Sequence, residues 1–283
     1  MDDVRVRELV GRRLPGCRVE GVELIGAGMD NTAYVVNGDI VVRFAKDVAA
    51  AQVEREARLL GVVAGISPLA VPDPLFAEAD EGCLAYRMVR GIPLIEWDSP
   101  YDGLLVAEQL GAFLGALHSA PVEAFDGLVA PDVVPLSDWL EEAAETFEAV
   151  RDQVPDSRRP AITRFLAAEP PAEPDSLVFS HNDLGIEHVM VDPASGAVTG
   201  VIDWTDAALV DRANDFGLIY RDLGPDALAA ALVQYGTAAT DQLVDRAMFY
   251  ARCSVFEDLA FGVETGQSRY VDKCQRALHW LFP

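Results

Sequence analysis

The sequence predicts an α+β protein with a small N-terminal lobe, made of an antiparallel β-sheet and one helix, and a larger, mainly helical C-terminal lobe. Short strand-like runs separated by turn signals continue to about Val89 and enclose a single helical stretch. After the segment R-G-I-P-L at 90–94, the apolar residues recur at helical spacing. We therefore expect a lobe of residues 1–90, a linker, and a lobe of residues 91–283.

The first lobe is predicted to open with a helix over residues 2–14. Three strand-like runs follow, R-V-E-G-V-E-L-I, T-A-Y-V-V and D-I-V-V-R-F-A, and the last two meet at Asn37-Gly38, a strong signal for a tight hairpin. Asp47 is predicted to cap a helix through V-E-R-E-A-R-L-L-G, in which Val53, Ala57 and Leu60 share one face. Two further strands, P-L-F-A-E-A and C-L-A-Y-R-M-V, flank the turn D-E-G.

The second lobe is predicted from two amphipathic stretches, L-L-V-A-E-Q-L-G-A-F-L-G-A-L-H and D-W-L-E-E-A-A-E-T-F-E-A-V. The proline-rich segment P-P-A-E-P-D-S at 170–176 interrupts the helices. Three or four further helices are expected after Asp211.

The charge of the chain is strongly acidic. Its 283 residues include 22 basic and 46 acidic side chains, a net charge of −24. This excess argues against a nucleic-acid partner, because phosphate binding requires clustered Lys and Arg. It favours attraction of a cationic small molecule, although the same charge also serves solubility alone.

The remaining bulk features indicate a cytoplasmic protein, expected to be a monomer or weak dimer. No apolar run approaches the roughly 18 residues of a membrane span, and the charged start M-D-D-V-R-V-R-E-L-V is unlike a secretory signal. The four cysteines are scattered, which does not fit a disulfide framework or a zinc ribbon.

A dense polar cluster lies in V-F-S-H-N-D-L-G-I-E-H-V-M at 178–190, which is followed by V-I-D-W with Asp203. Asp183 precedes His188 by five positions and Asp203 by twenty. A loop between short strands, followed by a hairpin, can bring these three side chains together. Two carboxylates beside an imidazole form a plausible divalent-cation site that leaves one carboxylate to orient a nucleophile.

The cluster follows the kinase signature H-R-D-L-x-x-x-N with a later D-F-G. H-N-D-L-G-I-E-H matches its His, Asp and Leu, with His188 where Asn is expected, and I-D-W supplies Asp203 in the place of the D-F-G aspartate. The sequence resembles the aminoglycoside phosphotransferase family, antibiotic kinases that share the protein-kinase fold. S-H-N-D-L-G is similar to that family's S-H-G-D-L-G, and His188 is similar to the macrolide-kinase branch.

The resemblance implies roles for five residues of the cluster. Asp183 would be the catalytic base or hydroxyl-orienting group, and His188 and Asp203 would bind the metal. His181 and Asp215 would be structural braces of the catalytic loop, and for His181 a satisfied core position is the preferred interpretation. The implied cofactor is Mg²⁺, although imidazole suits manganese or zinc better. Glu187 is expected on a solvated face, and Asp211 is expected as a cap or turn residue or at the substrate.

A nucleotide site is predicted in the first lobe, with ATP or GTP as phosphate donor. Arg43 stands where the kinase signature has Lys, with Lys46 as an alternative, and Glu56 in V-E-R-E resembles the family's helix carboxylate. Gly26 and Gly28 of I-G-A-G-M-D-N-T are expected to let the backbone approach the phosphates, although a plain hairpin remains an alternative. By the resemblance, Tyr86 would hold the gatekeeper position, or simply pack in the core, and Met88 and Val89 would bond the purine.

The acceptor is expected to be a small molecule, because only seven residues separate Asp203 from Asp211 and no A-P-E follows. Asp206, Glu257, Asp258 and Glu264 would suit a cationic antibiotic such as an aminoglycoside or a basic peptide. Trp204, Phe256 and Phe261 would instead provide the apolar wall that a macrolide needs. A small-metabolite kinase, a non-catalytic nucleotide-binding pseudokinase and a metallohydrolase remain alternatives.

Overall fold

The computed structural model describes residues 3–27, 31–46, 50–98, 101–236 and 240–283, and these confirm the α+β prediction. The strands are β1 (Val22–Ala27), β2 (Asn31–Val36), β3 (Ile40–Ala45), β4 (Asp73–Glu78), β5 (Cys83–Arg87), β6 (Ile92–Pro93), β7 (Val178–Ser180), β8 (Val189–Val191), β9 (Val198–Val201) and β10 (Ala208–Val210). The helices are α1 (Asp3–Arg13), α2 (Ala50–Ile66), α3 (Gly103–His118), α4 (Leu136–Val150), α5 (Arg159–Leu166), α6 (Ala213–Leu223), α7 (Pro225–Tyr235), α8 (Asp241–Thr265) and α9 (Ser268–Leu281).

The N-terminal strands form an antiparallel sheet in the order β1-β2-β3-β5-β4. The hairpin between β2 and β3 turns at Asn37 and Gly38, whose φ angles are 54° and 69°. Asn and Gly are the residues that tolerate this left-handed region best, so the local sequence dictates the turn. The arrangement places β3, which carries Arg43, between β2 and β5.

The two helices of the N-terminal part pack into different cores. Helix α1 buries Val6, Leu9 and Val10 in a small core that includes Val36 and Phe44 of the sheet. Helix α2 instead buries Val53, Leu59, Leu60 and Val63 in the large core shared with the C-terminal helices. Ala57 is only partly buried in this core, and the predicted cap at Asp47 lies outside the described residues. Helix α2 thus joins the sheet to the helical part of the molecule.

The segment at 90–94 is more ordered than the predicted linker. Strand β6 pairs with β8 in a second, three-stranded sheet of order β6-β8-β9. Gly91 just before it has φ 118°, and a Cβ on this residue would lie 2.6 Å from the carbonyl oxygen of Val191. Pro93 is tolerated because β6 is an edge strand, where no ladder donor is required of it.

The C-terminal part is a helical assembly around α6, whose residues are almost all buried. The expectation of three or four helices after Asp211 is confirmed, since α6 to α9 occupy this stretch. In the parts of the chain that the structure describes, no helix combines the length and apolarity needed to span a bilayer.

Helices α3 and α7 pack closely at Gly111. A Cβ added to Gly111 would lie 2.1 Å from the carbonyl oxygen of Ala231, a backbone atom that cannot move aside. We expect Gly111→Ala to lower the free energy of unfolding by about 3 kcal/mol or more, measured by urea titration. Gly61→Ala in α2 is the matched control, because nothing lies within 4 Å of its new methyl group. Equal losses in the two variants would contradict this account of the α3–α7 contact.

Candidate active site

The polar cluster forms a loop between β7 and β8, here named the 181–188 loop. Asp215, near the start of α6, has no exposed surface and accepts hydrogen bonds from the main chain of the loop. Its Oδ2 accepts from the backbone N–H of Asn182 at 3.0 Å, and its Oδ1 accepts from that of Leu184 at 3.2 Å. These bonds hold the chain on both sides of Asp183, which is the geometry that a brace requires.

Asp215 is itself tied to a buried histidine through Ser180. The hydroxyl of Ser180 donates to Asp215 Oδ2 at 2.5 Å, so its oxygen is left to accept from His118 Nε2, 2.8 Å away. His118 Nδ1 then accepts from the hydroxyl of Tyr235 at 2.9 Å. His118 is therefore neutral, and burial lowers its pKa to about 3.

This neutral histidine predicts acid sensitivity. The pKa of His118 is near 3 in the native state and about 6.5 in the unfolded chain, so between these values the unfolded state binds more protons. The corresponding stability is present above pH 6.5 and is lost as the pH falls, by about 2 kcal/mol at pH 5. Urea unfolding at pH 7.5 and pH 5 should therefore show a smaller loss of stability for His118→Gln than for the wild type. The same loss in both proteins would be inconsistent with this prediction.

His181 is fully buried and joins the 181–188 loop to the end of β9. Its Nδ1 accepts from the backbone N–H of Asp183 at 3.3 Å, which leaves Nε2 to donate to the carbonyl oxygen of Ile202 at 3.0 Å. Burial lowers the pKa of His181 and keeps it neutral. A residue whose two ring nitrogens are both engaged in this way fits the expected brace rather than a metal ligand.

Two non-glycine residues of the site have a left-handed backbone. Asn182 has φ 69° and Asp203 has φ 62°. Asn and Asp are the side chains most often found in this region, which explains how Asn182 can stand where the related motif has Gly. The amide of Asn182 also donates to Asp132 Oδ2 and to the carbonyl oxygen of Asp206, each at 3.1 Å.

The structure brings Asp183, His188 and Asp203 together, as their spacing predicted. His188 Nδ1 lies 2.8 Å from the carbonyl oxygen of Asp183 and 3.3 Å from its carboxylate. His188 Nε2 lies 3.9 Å from Asp203 Oδ2. Because the carbonyl oxygen accepts the proton on Nδ1, Nε2 is the ring nitrogen that faces Asp203.

The three groups differ in their electrostatics. Burial opposes protonation of His188, but the nearby carboxylates, Asp183 first among them, outweigh it and raise its pKa. Burial raises the pKa of Asp183, and the charges of Glu187 and Asp206 add to the shift, while His188 opposes it. Burial also opposes ionisation of Asp203, but a hydrogen bond from Thr205 and the nearby positive groups outweigh it and lower its pKa. The Asp203 carboxylate is therefore ionised, and the Asp183 carboxylate accepts a proton more readily than that of an ordinary aspartate.

His188 and Asp203 can together hold one cation. Their facing atoms are 3.9 Å apart, within the span of an ion whose bonds are about 2.1 Å long. Within the described ranges, no group of three or more His, Cys, Asp or Glu is arranged to bind a metal. A cation held by these two residues would thus take its other ligands from water and from the oxygens of a bound phosphate, as Mg²⁺ commonly does.

A cavity of about 300 Å³ opens beside Asp203, between the N-terminal sheet and strand β8. Arg43 and Glu56 form an ion pair at its wall, as the signature predicted, with one guanidinium nitrogen contacting both carboxylate oxygens. The other residues that line it are largely apolar: Ile25, Asn31, Ala33, Val41, Leu60, Pro72, Tyr86, Met88, Val89, Met190, Ile202 and Trp204. The cavity therefore combines an apolar slot with the positively charged guanidinium group of Arg43, which shares the wall with the Asp203 carboxylate.

The structure limits what the predicted purine and phosphate contacts can do. Tyr86, Met88 and Val89 all line the cavity, but the backbone N–H of Met88 already donates to the carbonyl oxygen of Asp39 at 2.8 Å. That N–H is therefore not available to a base. Gly26 lies in β1, and none of the residues that the structure describes comes within 4 Å of where its Cβ would be, so these residues impose no steric requirement for glycine there. Gly28 lies outside the described residues.

The four carboxylates predicted to contact the substrate have different environments, and Glu264 is simply exposed. Burial raises the pKa of Asp206, and Asp203 and Asp132 add to the shift. Burial likewise raises the pKa of Glu257. Asp258 differs, because its Oδ2 lies 2.8 Å from Arg221 and 2.9 Å from Lys273. Its charge is thus compensated inside the protein, so we retain Asp206 and Glu257, but not Asp258, as substrate candidates.

The expectation of a solvated Glu187 is wrong. Its side chain is only 10% exposed, and its Oε2 lies 2.6 Å from Lys273 Nζ. Asp222 accepts a hydrogen bond from the backbone N–H of Ile186 at 3.1 Å and pairs with Arg221 at 2.7 Å. We refer to the following set as the ion-pair network: Glu187, Arg221, Asp222, Asp258 and Lys273. The sequence signal for this network was Lys273, a charged residue between Tyr270 and Cys274 on the buried face of α9.

Comparison with known families decides the classification. The family profile described as APH, phosphotransferase enzyme family, matches residues 21–250. The chain belongs to this family. The predicted resemblance is therefore confirmed, and membership in a phosphotransferase family argues against the metallohydrolase alternative.

Relatives within this family include two streptomycete enzymes. The chain is 28% identical over 243 residues to viomycin phosphotransferase of Streptomyces vinaceus, covering 82% of this chain and 84% of that protein. It is 29% identical over 189 residues to aminoglycoside 3'-phosphotransferase of Streptomyces fradiae, covering 59% of this chain and 65% of that protein.

Solved structures of the same family share the fold over nearly the whole chain. The GDP complex of aminoglycoside 2'-phosphotransferase-IIIa superposes with a TM-score of 0.73 at 22% identity and covers 99% of this chain and 98% of that one. Macrolide 2'-phosphotransferase type I gives a TM-score of 0.67 at 26% identity, covering 98% and 96%. The two-lobed, protein-kinase-like fold predicted from the sequence is thus confirmed.

Proposed function

We propose that this phosphotransferase moves the γ-phosphate of ATP or GTP to a hydroxyl group of a cationic antibiotic. The observation that carries the proposal is the convergence of Asp183, His188 and Asp203 next to a cavity walled by the Arg43–Glu56 ion pair. In this proposal residues 1–90 bind the nucleotide, and residues 91–283 carry the catalytic loop and the acceptor site.

The donor nucleotide is proposed to occupy the 300 Å³ cavity. Its apolar slot suits a purine, and Arg43, held in place by Glu56, can grip phosphate oxygens. The neighbours do not distinguish the two purines, because GDP is bound in one related structure and ADP in another. Either ATP or GTP is therefore proposed, with Val89 and the carbonyl oxygen of Met88 facing the base.

Asp203 and His188 are proposed to hold Mg²⁺ against the phosphates. When bound, the ion neutralises the charge of the β- and γ-phosphates. The anionic Asp203 provides the oxygen ligand that Mg²⁺ prefers, and the bond from His188 Nδ1 to the Asp183 carbonyl oxygen orients the ring for ligation through Nε2.

Asp183 is proposed to orient and deprotonate the acceptor hydroxyl. Its carboxylate is 40% exposed, so a substrate can reach it, and its backbone is fixed through bonds to His181 and His188. As the hydroxyl oxygen forms its bond to phosphorus, the bond to the nucleoside diphosphate breaks and the hydroxyl proton passes to Asp183. Arg43 stabilises the charge on the phosphates.

The environment of the acceptor site favours a polycation over a macrolide. Asp206 and Glu257 are exposed carboxylates whose pKa values are raised by partial desolvation and by neighbouring acids, so a bound cation would stabilise their charged forms. Of the aromatic residues expected to form an apolar wall, Trp204 and Phe256 are buried in the core, and Phe261 is exposed. The named relatives that phosphorylate viomycin and an aminoglycoside are consistent with this choice.

The proposal is tested by magnesium-dependent release of nucleoside diphosphate from ATP and GTP separately. The acceptor panel would contain basic peptide antibiotics, aminoglycosides and macrolides, with mass spectrometry to detect the phosphorylated drug. We expect turnover with a basic peptide or an aminoglycoside. Turnover with macrolides alone would overturn the substrate class, and nucleotide binding without turnover on any drug would favour a metabolite kinase or a pseudokinase.

A further inference from the structure

The ion-pair network joins three helices to the 181–188 loop. Arg221 and Asp222 belong to α6, Asp258 to α8 and Lys273 to α9, and Glu187 is the member that lies on the loop itself. Its three carboxylates and two cations are all at most 16% exposed. Charges buried to this degree are stable only in a well-defined geometry, so the network fixes distances between the elements that it connects.

Lys273, like Arg221, contacts all three carboxylates of the network. Its ammonium group is 2.6 Å from Glu187, 2.9 Å from Asp258 and 3.7 Å from Asp222. The same group lies 4.7 Å from the centre of the Tyr270 ring, within the range of a cation–π contact. A single side chain of α9 is therefore in contact with both the loop and an aromatic residue one turn earlier in its own helix.

Tyr270 connects Lys273 to the end of α8. Its ring packs edge-on against Phe261, 4.8 Å away, and Phe261 is 40% exposed. Burial raises the pKa of Tyr270, and the Asp183 carboxylate is among the charges that contribute to the shift. Tyr270 is thus in contact with Lys273 on one side and with Phe261 on the other.

We infer that Lys273 and Glu187 are positioning residues, which couple α9 to the loop that carries Asp183 and His188. The inference rests on the proposed function, since it assigns these residues to the same reaction. Neither residue contacts the reacting atoms. Their contribution is to keep the loop in register with the helices against which the acceptor binds, where a displacement of about 1 Å can cost 100-fold in rate.

The kinetic test compares Lys273→Met and Glu187→Gln with the double variant, using the best acceptor from the panel. We expect kcat to fall by about 100-fold in each single variant, with the nucleotide KM within threefold of wild type. The double variant should be little worse than either single one, because both changes break the same contact. Lys273→Arg, which keeps the charge, should restore at least part of the rate.

The matched control is Arg246→Met. Arg246 is a largely buried cation on α8 whose ion pair, at 2.6 Å, is with Asp211, a residue outside the 181–188 loop. The Arg246→Met variant should lower the melting temperature about as much as Lys273→Met does, but it should leave kcat within threefold of wild type. If both variants lose kcat in proportion to stability, or if neither loses kcat, the positioning role is overturned.

Hydrogen exchange provides a readout that does not depend on turnover. The backbone N–H groups of Asn182, Leu184 and Ile186 are bonded to carboxylates of α6 and should be protected in the wild type. Faster exchange at Ile186 in Lys273→Met and Glu187→Gln, but not in Arg246→Met, would support the inference. Unchanged exchange at Ile186 would overturn it even if the wild type shows no phosphotransfer, a result that would separately overturn the proposed function.

Discussion

Asp183→Asn is expected to reduce kcat for phosphate transfer by about 10³-fold or more, because the variant has no group to accept the hydroxyl proton. The replacement is isosteric, and the backbone N–H and carbonyl of residue 183 keep their bonds to His181 and His188. Nucleotide affinity should therefore remain within threefold of wild type. The measurement is single-turnover phosphate transfer together with nucleotide binding by calorimetry.

Asp206→Asn is the comparison variant for this experiment. Asp206 is an exposed carboxylate three residues after Asp203, and its proposed partner is a cation of the acceptor. The Asp206→Asn variant should raise the acceptor KM by about tenfold and change kcat much less, as expected for loss of one charged contact. If Asp183→Asn retained a tenth of the wild-type kcat, Asp183 would not be the base.

Asp203→Asn is expected to weaken the binding of the Mg²⁺ that supports nucleotide binding. The midpoint of the magnesium titration should rise at least tenfold, and kcat should fall by about 100-fold. The lowered pKa of Asp203 shows that it is held as an anion, and the asparagine side chain removes that charge. Asparagine tolerates the φ of 62° at this position, so the backbone should be preserved.

Thr205→Val separates the charge of Asp203 from its orientation. The Thr205 hydroxyl donates to Asp203 Oδ1 at 2.6 Å, and valine removes this bond while leaving the carboxylate in place. The midpoint of the magnesium titration should then change by less than threefold, because one exposed hydrogen bond contributes only a small free energy to the binding of the ion. A magnesium midpoint that is unchanged in Asp203→Asn would show that the ion is held elsewhere.

The sequence predicted those parts of the site that depend on local pattern and fixed spacing. The hairpin at Asn37-Gly38 follows from the backbone preferences of these two residues. The Arg43–Glu56 pair and the convergence of Asp183, His188 and Asp203 follow from motifs whose spacing is set by short strands and turns. In each case the interacting residues lie close in sequence or belong to adjacent elements.

The contacts that could not be predicted join elements far apart in the chain. Glu187 and Lys273 are 86 residues apart, and their pairing depends on how α9 packs on the 181–188 loop. Whether a glutamate is exposed depends on whether the fold provides it with a partner. The prediction that Glu187 is solvated was therefore wrong. The strand at Ile92–Pro93 and the occupied N–H of Met88 were missed for the same reason, since both depend on distant partners.

The carboxylates that bind the main chain of the 181–188 loop, Asp215 and Asp222, both come from α6. The loop is therefore anchored to the helical part of the molecule, whereas Arg43 lies on a strand of the N-terminal sheet. Under the proposed function, the residues that would receive the acceptor thus share one structural base, and the contacts of Arg43 alone depend on how the sheet is held against it.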